Sequence, residues 1–120
     1  MNKKLTFTNN WNRAKLNCLC FSTIRLNTAC QVGDIVEISL KGQVLGKAEI
    51  LQRIVFTLPN LTPGMAYLDT GYSKIETENI IKKMYPAVRS WETQPVIWLL
   101  CRYIETKQDS TKEATNINGL

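Results

Sequence analysis

The chain has 120 residues, with 15 Lys and Arg against 10 Asp and Glu, a net charge of +5, and a hydrophobic content of 44%. That is the make-up of one ordinary globular domain with enough apolar residues for its own core. No apolar run approaches the ~20 residues that span a bilayer. The start, MNKKLTFTNNW, lacks the long apolar segment of a secretory signal, so the expectation is a cytoplasmic protein with no membrane association. Cys18, Cys20, Cys30 and Cys101 are then expected as free thiols. The chain has no His. A zinc site would need all four thiolates, and the Cys-x-Cys spacing of Cys18 and Cys20 is not the usual zinc knuckle. No metal and no cofactor are expected.

The charge is unevenly placed. Up to Gly33 there are five bases, Lys3, Lys4, Arg13, Lys15 and Arg25, and no acid; the remaining ten bases and ten acids lie from Asp34 onward. If the first quarter folds onto one face, it forms a positive surface suited to phosphate. A solvated basic segment is the plain alternative.

In chain order, Leu5-Thr6-Phe7 reads as a short strand. Trp11, Ala14 and Cys18 then repeat at helical spacing after the N-cap candidates Thr8, Asn9 and Asn10, which predicts an amphipathic helix weakened by its asparagines. CFSTIRL is strand-like, with Thr23 and Arg25 on one face and Ser22 and Ile24 on the other. After the turn Gln31-Val32-Gly33-Asp34, DIVEISL and VLGKAEILQRIVFTL supply further strands joined at Lys41-Gly42-Gln43, and Gly46 marks a bulge or a close approach. Residues 59–70 read as a loop. Ser73 and Glu76 form a capping box for a helix from about Lys74 to Met84 that ends at Tyr85-Pro86. VIWLLCRYI is apolar on both of its alternating faces, the pattern of a strand buried on both sides. The tail, from 106 to 120, is polar and patternless and is expected to be flexible. The order predicts an α+β domain over 1–105, a small mixed β-barrel flanked by two main helices.

These segments together resemble the ASCH domain family of the PUA-like superfamily. Ser22-Thr23-Ile24-Arg25 is similar to its Lys-Thr-x-Thr-x-Arg segment, and Val32-Gly33-Asp34-Ile35-Val36 to its Gly-Asp strand entry. Gly46-Lys47-Ala48-Glu49-Ile50 is similar to the next long strand, and Gly71-Tyr72-Ser73 with the helix to Tyr85-Pro86 to the late helix and its exit. The resemblance covers about residues 5 to 104. It implies RNA or nucleotide chemistry in a cleft between the barrel and its flanking helices. One branch consists of small amidohydrolases that remove acetyl from acetylcytidine with a lysine, a threonine and a glutamate. Thr23 matches the threonine and Arg25 the adjacent arginine. The lysine's place falls on Cys20, and the glutamate's near Thr70, one residue after Asp69. Cys20 as nucleophile or Asp69 as base are the two ways hydrolysis could survive these departures.

The expected function is therefore RNA or nucleotide binding in a basic cleft. Arg25, with Arg13 and Lys15, would hold phosphate, Thr23 would bond a polar edge of the ligand, and Tyr67, Tyr72 or Trp91 would stack on a base. Each also has an ordinary structural role available, from strand packing to loop anchoring. One alternative is an amidohydrolase on acetylated cytidine, or a ribonuclease, using Thr23, Cys20 and Asp69. Another is a protein-interaction module presenting Leu61 and Met65 from the loop LPNLTPGMAY.

Overall fold

The computed structural model of the chain describes residues 3–106; the tail expected beyond Thr106 lies outside them. Five strands, β1 (Lys3–Phe7), β2 (Cys20–Arg25), β3 (Ile35–Leu40), β4 (Gln43–Thr57) and β5 (Pro95–Thr106), form one sheet in the order β1-β3-β4-β5-β2. β1 runs parallel to β3, and every other pairing is antiparallel. The α+β class expected from the sequence is present, but the barrel is not. The edge strands β1 and β2 share no ladder, so the sheet stays open.

All five strands nonetheless send side chains to one enclosed core, including Leu5, Phe7, Phe21, Ile38, Ile50 and Leu99. A flat sheet could not bring both edges to a common core. Phe7 of β1 meets Phe21 of β2 edge-on at 6.1 Å between centroids, so side chains span the gap that backbone pairing leaves. The opposite face of β2 and β5 carries a second core, in which Ile24, Val96 and Trp98 pack with Leu58, Leu61, Ala66 and Ile81. β5 therefore feeds both cores, as its uninterrupted apolar pattern requires.

β4 is one bulged strand of 15 residues rather than several. Gly46 sits at a register shift opposite Ile38, where a Cβ would lie 2.2 Å from the backbone oxygen of Glu105. Among the described residues three α-helices accompany the sheet. α3 (Lys74–Met84) opens on the Ser73–Glu76 capping box, with both reciprocal bonds formed. α2 (Pro63–Thr70) occupies the stretch expected to be loop. Thr62 accepts a hydrogen bond from the Met65 amide, Pro63 supplies the preset first-turn φ, and Gly71 closes the helix at φ 82°. Leu61, expected as an exposed anchor, is buried in the second core, with Met65 packed against it.

The helix expected from Trp11 is not formed. α1 (Trp11–Ala14) is a single turn in which Asn12, Arg13 and Ala14 take left-handed φ values of 54°, 54° and 65°. A 3₁₀ turn, Lys15–Asn17, follows directly. Asparagine tolerates this region, whereas arginine and alanine pay roughly 1–2 kcal/mol each to enter it. No helix among the described residues is long and apolar enough to cross a membrane.

Two substitutions test this backbone. Gly46→Ala should destabilise the fold by more than about 1 kcal/mol in urea titration, because backbone would have to move to admit the methyl. Ala14→Gly should leave stability unchanged or raise it by up to about 1 kcal/mol, since relief of the left-handed conformation outweighs the extra unfolded-state entropy.

Candidate functional site

The left-handed turn decides where Lys15 goes. An ordinary helix from Trp11 would have set Lys15 one turn after Trp11, at the edge of the apolar stripe with its long stem free to reach solvent. Instead the chain reverses over Asn12–Ala14, and Lys15 and Leu16 are both buried. Side chains hold the turn in place. Asn10 Oδ1 accepts from the Leu16 amide at 2.8 Å. Asn12 Nδ2 donates to the Leu68 carbonyl of α2 at 3.1 Å. Gly71, just after α2, admits Asn12 where a Cβ would come within 2.9 Å of its side-chain oxygen.

Asp69 is on the last turn of α2, beside this seam. Lys15 Nζ donates to Asp69 Oδ1 in a buried ion pair, the two side chains retaining 4% and 10% of their exposure. Desolvation dominates both groups. Burial draws the Lys15 ammonium below its usual range, against the attraction and hydrogen bond of Asp69. Burial pushes the Asp69 carboxyl above the usual carboxylate range, against the attraction of Lys15 and Arg25. Both shifts run toward the neutral form.

On β2, Thr23 is buried and Arg25 half-buried. Arg25 Nε donates to Thr23 Oγ1 at 3.2 Å, and Nη2 reaches across the open sheet edge to the Thr6 carbonyl at 2.9 Å. The guanidinium carbon lies 4.6 Å from the centroid of the Phe7 ring, and Lys15 Nζ lies 5.8 Å from the same centroid. Arg25, like Lys15, is held below its ordinary pKa by burial, opposed by Tyr85 and Asp69.

Lys15, Thr23, Arg25 and Asp69 line one cavity of about 210 Å³. It opens between the unpaired edges of β1 and β2. Thr6, Phe7 and Trp11 form one side, and Met84 and Tyr85, where α3 ends, form another. The cavity is smaller than the roughly 300–1,000 Å³ of drug-sized sites.

Several residues singled out in the sequence lie elsewhere. Cys20 is exposed and outside the cavity lining, as is Arg13. Tyr67 and Tyr72 are exposed on the helical side, and Trp91 packs on the second core; none lines the cavity. The aromatic groups that do line it are Phe7, Trp11 and Tyr85. The basic first quarter is also less free than its charge implies. Lys3 pairs with Asp34 at 2.5 Å, Lys4 with Glu37 at 3.8 Å, and Lys15 with Asp69. Burial pushes the Cys101 thiol up to about 12, which leaves it unreactive. Among the described residues no group of three or more His, Cys, Asp or Glu is placed to hold a metal ion.

The buried pair makes a pH-dependent prediction. Lys15→Met leaves Asp69 buried without its cation and should cost about 3–5 kcal/mol at neutral pH. With the attraction gone, the Asp69 carboxyl titrates still higher. A carboxyl whose folded pKa exceeds its unfolded one contributes most below the unfolded value of 3.8 and loses that contribution as pH rises through the folded one. The deficit of Lys15→Met should therefore shrink toward pH 4 in urea titrations. Carboxyl-carbon NMR should place the Asp69 midpoint above that of an ordinary aspartate and higher again in the variant. Adding Asp69→Leu should restore most of the lost stability.

No protein-family model and no curated protein matches the chain. Among solved structures, the chain is similar to the crystal structure of protein EF3133 from Enterococcus faecalis V583, of family DUF984. The two superpose with a TM-score of 0.66 over 91% of this chain and 85% of that one, at 10% sequence identity. At that identity the likeness is one of fold alone.

Proposed function

We propose that the chain is a PUA-like domain of ASCH type whose cavity hydrolyses an amide on a small acylated nucleoside or similar planar heterocycle. The observation that carries this reading is the convergence of Lys15, Thr23 and Asp69 on one small cavity. The resemblance to the acetylcytidine amidohydrolases asks for a lysine, a threonine and an acid. In sequence the lysine's place falls on Cys20; in space Lys15, five residues earlier, comes to the cavity with its acid already attached. The likeness of fold to the Enterococcus faecalis protein is compatible with this assignment and does not bear on the chemistry.

The chemistry follows from the environments. Amide hydrolysis needs a nucleophile and a group that takes and returns a proton. Lys15, its ammonium disfavoured by burial, becomes the base by passing its proton to Asp69, whose carboxylate is disfavoured in the same way. The Thr23 hydroxyl receives a hydrogen bond from Arg25 Nε, which stabilises negative charge growing on its oxygen and leaves its own proton free to depart. Thr23 Oγ1 bonds to the acyl carbon as its proton passes to Lys15 Nζ. Lys15 returns that proton to the departing amine nitrogen as the amide bond breaks. A water then cleaves the acyl ester by the same route, restoring the Thr23 hydroxyl. Asp69 keeps that first proton through each cycle and hands it back to Lys15 at the end.

Nucleotide binding without turnover is the second reading, and Arg25 favours it, as a guanidinium in the cavity with no carboxylate partner among the described residues. Binding of an RNA track by the basic first quarter gains less support, because three of its five cations already face carboxylates.

Incubation with N4-acetylcytidine, followed by mass spectrometry, should show release of acetate and cytidine. Thr23→Ala and Lys15→Met should each lower kcat by about a hundredfold or more, while Cys20→Ser leaves it unchanged. Undiminished turnover in Thr23→Ala, or strict dependence on Cys20, would overturn the assignment. Binding of cytidine with no acetate released would leave the second reading.

A further inference from the structure

We infer that the ligand of this cavity carries one anionic group, a phosphomonoester or a carboxylate, and that Arg25 receives it. The inference rests on the cavity being the ligand site and goes beyond the hydrolysis proposed for it. It follows from how the cavity's charges pair. Lys15 and Asp69 neutralise each other inside the fold. Arg25 has no such partner: its bonds go to two neutral oxygens, the Thr23 hydroxyl and the Thr6 carbonyl. A guanidinium presents five N–H donors in a planar fork. Thr6 and Thr23 are its only acceptors among the described residues, which leaves N–H groups available at the cavity wall.

The packing of Arg25 sharpens the point. The guanidinium lies over Phe7, which covers one of its faces and holds the fork in orientation. It is half-buried in a place where water solvates it poorly. A desolvated cation gains more from an anion than an exposed one does, and bidentate bonds to carboxylate or phosphate are its strongest geometry. Trp11 and Tyr85 line the same cavity and offer flat apolar surface to a ring. The ligand class is thus a small planar aromatic amide bearing a single acidic group. A nucleoside monophosphate derivative and an aromatic carboxylic acid both satisfy it, whereas an uncharged nucleoside leaves Arg25 unanswered.

Four probes separate the possibilities: N4-acetylcytidine, N4-acetylcytidine 5′-monophosphate, acetanilide and 4-acetamidobenzoate. Wild-type protein should prefer the charged member of at least one pair by about ten- to a hundredfold in kcat/KM, chiefly through KM. A preference within the first pair identifies phosphate as the anion, and one within the second identifies carboxylate. Arg25→Gln should bring that ratio close to one, and Arg25→Lys, which keeps the charge but not the fork, should keep part of it. The ratio is the decisive quantity, because loss of the Nε bond to Thr23 lowers turnover of charged and uncharged probes alike. Ratios near one in the wild type, or a ratio that survives Arg25→Gln in protein with unaltered circular dichroism, would overturn the inference while leaving hydrolysis intact. If no probe is hydrolysed, calorimetry with cytidine, cytidine 5′-monophosphate, acetanilide and 4-acetamidobenzoate applies the same criterion. A charge preference in binding that is lost in Arg25→Gln would then uphold the anion site without the hydrolase.

Discussion

The site depends on a lysine and an aspartate that share a space neither would enter alone. Removing either charge from water costs several kcal/mol, and attraction between the two offsets that only when they meet closely. Lys15 and Asp69 lie 54 positions apart. Their meeting requires the turn after β1, the end of α2 and the inner face of β2 all to be in place. The turn bears the conformational strain, with three consecutive left-handed residues, two of them poorly suited to it. The contact of Asn12 with Gly71 and its bond to the Leu68 carbonyl tie that turn to α2. Strain held by surrounding contacts is characteristic of working sites, and here it accompanies a lysine turned fully into the fold.

A second constraint is the incomplete closure of the sheet. Had β1 and β2 paired, their backbones would fill the space now left as a cavity. The edges are instead held near one another by the two phenylalanines and by Arg25, whose guanidinium runs from Thr23 on one edge strand to Thr6 on the other. Arg25 is thus a structural tie as well as a wall of the site. The second core, on the far side of β2 and β5, holds α2 and α3 in position. Asp69 and Tyr85 reach the cavity from the ends of these two helices.

Much of the fold was legible in particular residues. The apolar run of β5 announced two buried faces, and both exist. Ser73 and Glu76 announced the start of α3, and Gly46 a close approach of backbone. Thr62, Pro63 and Gly71 bracket α2 with ordinary start and stop signals, yet the two prolines and the glycine of that stretch read as loop. The helix expected from Trp11 failed because periodicity counts apolar positions and cannot register φ; the asparagines that lowered its propensity were the better clue. Aromatic residues chosen for lying in loops were not those lining the cavity. Trp11, Phe7 and Tyr85 sit where elements end and converge. The charge asymmetry was a true property of the chain, but its weight as a surface feature shrank once Lys3, Lys4 and Lys15 found acids from later segments.

By itself the sequence determined the local alternation of faces: Thr23 beside Arg25, the doubly apolar last strand, the capped helix and the excess of bases before Asp34. These depend on neighbours a few positions away, so periodicity and composition carry them. Only the tertiary structure decided that Lys15 turns inward, that Asp69 answers it, that Cys20 stays outside and that the sheet stops short of closing. The burial of Lys15 with Asp69 is settled by the balance of desolvation against a partner distant in the chain, and no local pattern records which distant partner arrives.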